Sequence, residues 1–129
     1  MKAKYGVALA IGSFALGVAA IQTLHAQAKP PVYMVAEINV RDKAGYEKDF
    51  LPPVLKNIKE NGGTYLAGGF DKAQAWSGLP VANRYVILKF DSMDHAKAFY
   101  NDKQREFERT VGGKYADFRI IAVEGGEMK

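Results

Sequence analysis

Val32-Tyr33-Met34-Val35-Ala36-Glu37-Ile38-Asn39-Val40 alternates without a break. Val32, Met34, Ala36, Ile38 and Val40 fall on one side and are all apolar, while Tyr33, Val35, Glu37 and Asn39 fall on the other. Successive side chains of an extended backbone point to opposite faces, so a period of two in a β-branched run reads as a strand. The second face decides the architecture. A strand with one side on a core and the other in water would be polar on its wet side, and this one is half apolar there.

Downstream, Asp42 stands where a side-chain oxygen caps a helix. Tyr46, Phe50, Val54 and Ile58 then recur every four residues, with Leu51 and Leu55 on an adjoining ridge, and form a helical stripe. Pro52-Pro53 interrupts it, because an interior proline removes a hydrogen bond and crowds the preceding turn. Two abutting helical pieces or a sharp kink are expected. Asn61-Gly62-Gly63 ends the helix, with Gly62 as its left-handed cap. Residues 64–67 read as a short strand, Gly68-Gly69 as a bend or bulge, residues 73–76 as a continuation of the pairing, and residues 77–80 as a turn. In Arg84–Phe90, Val86, Leu88 and Phe90 oppose Tyr85, Ile87 and Lys89, a second clear strand. Ser92 caps a helix that turns Met93, Ala96, Phe99 and Tyr100 inward; a polar helical stretch runs from Asp102 to Thr110, and Gly112-Gly113 breaks it. Residues 115–123 form the last strand, with Phe118, Ile120 and Ala122 against Arg119, Ile121 and Val123.

Strand, helix, strand, strand, helix, strand is the order of an α+β, ferredoxin-like βαββαβ domain, an antiparallel sheet with its helices on one face. The other face collects Tyr33, Val35, Tyr85, Ile87, Ile121 and Val123, too much apolar surface to leave wet. A second copy is expected to pack its sheet there, giving a homodimer whose sheets enclose a shared interior.

Upstream, Met1-Lys2-Ala3-Lys4 is positive, residues 7–21 carry no charge, and small and polar residues follow up to Ala26-Gln27-Ala28. That is the order of a Sec-type signal peptide with an A-x-A cleavage site, and the apolar run falls short of the roughly 20 residues that a membrane helix needs. The expected organisation is a signal peptide over residues 1–28, cleaved after Ala28 with Ala26 as a second site, and one domain over residues 29–129. The mature protein is then periplasmic or secreted, with no stable membrane span. Its formal charge falls from +4 by the two units that Lys2 and Lys4 carry away, which is no nucleic-acid footprint. The absence of cysteine excludes disulfides, thiolate nucleophiles and cysteine metal sites. His95 becomes the only histidine.

Val32-Tyr33-Met34-Val35-Ala36-Glu37, Asn61-Gly62-Gly63-Thr64-Tyr65, residues 83–92 (Asn-Arg-Tyr-Val-Ile-Leu-Lys-Phe-Asp-Ser) and residues 118–125 (Phe-Arg-Ile-Ile-Ala-Val-Glu-Gly) together resemble the family catalogued as domain of unknown function 1330. The resemblance covers nearly all of the chain after residue 28. It implies the ferredoxin-like fold and the dimeric α/β-barrel superfamily, and it implies no activity. Trp76-Ser77-Gly78 and Asp102-Lys103-Gln104-Arg105 depart from the family pattern, which has an acidic Glu-Gly step and a Ser-Pro-Glu-Tyr turn at these places.

On the barrel-side face, Glu37, Asn39, Lys89 and Arg119 would line a ligand pocket floored by Tyr33 and Tyr85, with Trp76 stacking near its rim. Glu37 can serve there as a general base if burial raises its pKa, or can simply pair with Lys89 across strands. Trp76 is otherwise core or dimer filling. His95 is a surface residue, a general base or a haem ligand; no cofactor is expected, and haem on His95 is the one alternative. A metal site has no ligand cluster, Ser77 has no catalytic partner at a readable spacing, and the glycine pairs are caps and turns. The leading function is binding of a small apolar or aromatic molecule at the dimer barrel. The alternatives are a cofactor-free isomerase or monooxygenase-type enzyme of the same barrel class, and a structural or interaction protein with no ligand.

Overall fold

A computed structural model describes residues 29–126; the expected signal peptide with its cleavage sites, and residues 127–129, lie outside the described residues. Four strands, β1 (Val32–Val40), β2 (Thr64–Phe70), β3 (Arg84–Phe90) and β4 (Ala116–Glu124), form one antiparallel sheet in the order β2-β3-β1-β4. The first strand thus lies in the sheet interior, between β3 and β4, and its alternation is the pattern of the whole sheet. Val32, Met34, Ala36, Ile38 and Val40 are all buried beneath the helices, as are Val86, Leu88 and Phe90 of β3.

Lys43–Gly45, a π-helical turn Tyr46–Phe50 and helix α1 (Leu51–Glu60) run on as one helical segment. Asp42 caps it, its carboxylate accepting from the Gly45 N–H at 3.1 Å. The prolines do not break the helix. They are the second and third residues of α1, within its first turn, where a missing backbone donor is tolerated, and the wide turn before them lets the Leu51 N–H reach back to the Tyr46 carbonyl. Tyr46 and Phe50 are buried as a result, with Phe50 against Phe107 and Phe118 at ring separations of 5.3 and 5.1 Å. Gly62 ends α1 at φ +74°, the left-handed cap expected of it.

Ser92 caps α2 (Met93–Phe99) by accepting from the His95 N–H, and Asn101 caps α3 (Asp102–Thr110) by accepting from the Gln104 N–H. Ala96 and Phe99 face the core. No helix among the described residues is long and apolar enough to cross a membrane.

One expected piece of the sheet is missing. Residues 73–76 do not continue the pairing; β2 ends at Phe70 and residues 71–83 form a loop. Gly68 and Gly69, at φ +107° and +132°, stay paired with Val86 and Tyr85, and the irregularity expected at them lies earlier, between Tyr65 and Ala67; the chain leaves the sheet at Asp71, at φ +57°. The loop is closed at its base by a hydrogen bond from the Asp71 N–H to the Asn83 carbonyl, at 2.8 Å. The Asn83 side chain then exchanges two hydrogen bonds with the Val40 backbone, each of 2.8 Å, which ties the loop to the end of β1.

Candidate functional site

The face of the sheet away from the helices carries three cross-strand rows, fixed by register. Lys89, Tyr33 and Val123 form the first, Ile87, Val35 and Ile121 the second, and Tyr85, Glu37 and Arg119 the third; Asn39 lies opposite Asp117 beyond them. The middle row is entirely aliphatic. In the third row the Tyr85 hydroxyl donates to Glu37 Oε1 at 3.1 Å, and Arg119 Nη1 lies 3.7 Å from Glu37 Oε2. Burial, and then the bond to Glu37, push the Tyr85 hydroxyl above its usual pKa.

Register also corrects the charge pairing. Lys89 stands opposite Tyr33, four residues along β1 from Glu37 and so about 13 Å away at 3.3 Å per residue. The cation beside Glu37 is Arg119, on the other neighbouring strand.

Glu37, Asn39 and Arg119 border a depression of about 410 Å³, open to solvent and walled by Pro80, Val81 and Ala82 of the loop. Three of the sequence-predicted residues are therefore brought together, with Tyr85 bonded to one of them. Tyr33 and Lys89 sit at the other end of the same face. Trp76 borders neither this depression nor the chamber described next and is 94% exposed, as its loop never joins the sheet. His95 is exposed on the first turn of α2, with Nδ1 3.9 Å from the Asp91 carboxylate, and borders neither cavity. Among the described residues no three His, Asp or Glu side chains gather as a metal site.

A second cavity, of about 110 Å³, lies between the sheet and the helices. Its wall is mostly aliphatic and aromatic, including Met34, Val54, Leu88 and Phe99, and its polar members are Tyr46, Tyr65, Arg84, Tyr100, Gln104 and Glu108. The Tyr100 hydroxyl donates to Glu108. Burial raises the Glu108 carboxyl above its ordinary pKa against the effect of that bond, and burial followed by the Glu108 contact raises Tyr100. The sequence reading did not single out Arg84, Tyr100 or Glu108 as site residues. A count of two back from Val86 places Arg84 under the helices, so that signal was present; the pairing of Tyr100 with Glu108 joins two different helical pieces and has no sequence signal of its own.

A four-stranded antiparallel sheet, helices on one face and a half-apolar opposite face define a small α+β domain with two candidate ligand cavities and no metal cluster among the described residues. The chain belongs to the family described as Domain of unknown function (DUF1330), whose model matches residues 31–126. No curated protein matches the sequence. Among solved structures it is similar to a crystal structure of a protein of unknown function from Rhodopseudomonas palustris, at 15% identity and a TM-score of 0.52, covering 84% of this chain and 93% of that one. It is also similar to a crystal structure of the methylated form of that protein, at 15% identity and a TM-score of 0.53, covering 84% and 90%. Likeness at this identity concerns the fold alone.

Proposed function

We propose that this is an exported small-molecule-binding protein, in which two copies pack their open sheet faces into an α/β barrel and the depression at Glu37 holds a small apolar or aromatic ligand. The observation that carries the reading is the open face itself. An aliphatic row, Ile87-Val35-Ile121, crosses three strands beside a hydrogen-bonded polar row, Tyr85-Glu37-Arg119. No described segment of the chain covers them. Trp76 and Leu79, 94% and 88% exposed in the loop, are further apolar surface of the kind a partner covers. The depression already reaches the ~300–1,000 Å³ typical of ligand sites, and a partner's sheet would supply its missing roof. Glu37 and Asn39 offer acceptors, Arg119 and Tyr85 a cation and a hydroxyl, so orientation of the ligand would come from these four.

The test uses 1-naphthol, whose fluorescence reports binding. Wild-type protein is expected to bind it saturably, and Glu37→Gln to bind it at least about tenfold more weakly, the loss expected for one hydrogen bond to a charged group. The melting temperature should hardly move, because Glu37 is 29% exposed and its ion pair reaches an Arg119 side chain that is 72% exposed, and such pairs contribute about 0–1 kcal/mol. If Glu37→Gln instead melts early, is rescued by Glu37→Gln/Arg119→Met and binds naphthol as wild type does, the row is scaffold and the site reading fails.

A further inference from the structure

A chain of three carboxamides ties α1 to α3. Asn61 Nδ2 donates to the Asn57 carbonyl at 2.9 Å and to Asn57 Oδ1 at 2.8 Å. Asn57 Nδ2 in turn donates to the Phe99 carbonyl at 3.2 Å and to Gln104 Oε1 at 2.8 Å. The middle member fixes the polarity, because a backbone carbonyl only accepts. Asn57 must turn its nitrogen to Phe99, and Gln104 must then turn its oxygen to Asn57. The chain therefore ends on Gln104 Nε2, a donor with no acceptor among the described residues. Gln104 is only 7% exposed, yet this nitrogen is not sealed in: the one sealed side-chain polar atom without a partner among the described residues is Arg84 Nε.

Between the two helices runs a groove of about 300 Å³, which reaches the size typical of ligand sites. Asn57 borders this groove and not the chamber under the helices. The Gln104 amide lies against Asn57, so the open end of the chain is at the groove. Lys56 of α1 and Lys103 of α3 flank it. Glu60 also borders it and is held by Lys56 at 3.8 Å. The ion pairs of α3 run through Arg105 and Arg109, which leaves Lys103 uncommitted among the described residues. The first turn of α3 adds the positive end of its dipole, with Asn101 Oδ1 already taken by the Gln104 N–H. Apart from Glu60, the uncommitted polar groups around the groove are donors, and donors on both sides select an anion.

We propose that the groove between α1 and α3 is a further ligand site, which takes a small phosphate-bearing molecule. A phosphate oxygen accepts from Gln104 Nε2, Lys103 and Lys56 supply the opposing charge, and the rest of the molecule lies against Pro53 and Phe107. A phosphate brings a charge of about −1.5 to −2 and three acceptor oxygens, so it can meet both helices where a planar carboxylate meets one. The site belongs to one copy of the chain and does not rest on the barrel reading.

Inorganic phosphate is the probe, at an ionic strength held constant with sodium chloride, and amide chemical shifts of ¹⁵N-labelled protein are the readout. Phosphate is expected to shift the amides of Asn57, Lys103 and Gln104 saturably, and acetate to bind at least about fivefold more weakly, since it carries less charge. Gln104→Glu keeps the acceptor that Asn57 needs and removes only the open donor. It should weaken phosphate at least about tenfold, the loss for one hydrogen bond to a charged group. Lys103→Glu, at an exposed position, is the variant to read if Gln104→Glu fails to fold, and it should lose at least about threefold. Phosphate that moves none of these amides, or that binds the variant read as tightly as wild type, overturns the proposal and leaves the lysines a solvated surface. Acetate binding as tightly as phosphate overturns the ligand class.

Discussion

Ile87→Glu is expected to turn the protein monomeric, or to unfold it, at concentrations where the wild type is expected to sediment as the proposed dimer. Ile87 lies on the open face opposite Val35 of β1 and Ala67 of β2, in the aliphatic row that a second sheet would cover. In a dry sheet-to-sheet interface a carboxylate has no counter-ion, and burying an unpaired charge costs many kcal/mol unless it is neutralised. The substitution enters once per copy, so a symmetric dimer meets it twice. In a lone domain the same position faces solvent, and surface changes of this kind usually stay within ±0.5 kcal/mol. Sedimentation velocity paired with thermal melts separates the two cases. Lys97→Glu, on the exposed side of α2, is the control and should leave both readouts unchanged. A dimer that survives Ile87→Glu places the partner elsewhere.

Phe50→Ala should cost about 3–5 kcal/mol, the range for truncating a buried phenylalanine. Phe50 is 3% exposed and packs against Tyr46, Phe107 and Phe118 at ring separations of 5.4, 5.3 and 5.1 Å. It thereby joins the helical segment, α3 and the edge strand β4, and no neighbour can move in without unseating another. At roughly 4–8 °C per kcal/mol for a domain of this size, the melting temperature should fall by more than about 12 °C. Urea melts showing a loss below about 1 kcal/mol would mean that the helical layer is packed differently.

The sheet was legible in the sequence because its information is local. Alternation in Val32–Val40 and Arg84–Phe90 sets the two faces residue by residue, and the buried set on β1 is the apolar set counted from the sequence. Capping by Asp42 and Ser92 was legible for the same reason, since donor and acceptor lie three residues apart. What failed depends on distance along the chain. Nothing within residues 73–76 says that the backbone has already left the sheet at Asp71, so an Ala-Trp pair reads as strand. Nor does alternation give register: it placed Glu37, Lys89 and Arg119 on one face, but only the pairing of β1 with both neighbours shows Arg119 beside Glu37 and Lys89 beside Tyr33. Arg84 carries its charge at a core-facing position of an otherwise apolar alternation, an anomaly already present in the sequence.

The proposed sheet-to-sheet pairing around a bound ligand is tested most directly by native mass spectrometry of the protein purified without refolding from its own cells. The account predicts dimers of a chain beginning at Lys29, or at Gln27 if the second cleavage site is used, with added mass that leaves on collisional activation. Single chains without bound mass, at concentrations well above those of a stable dimer, would contradict it.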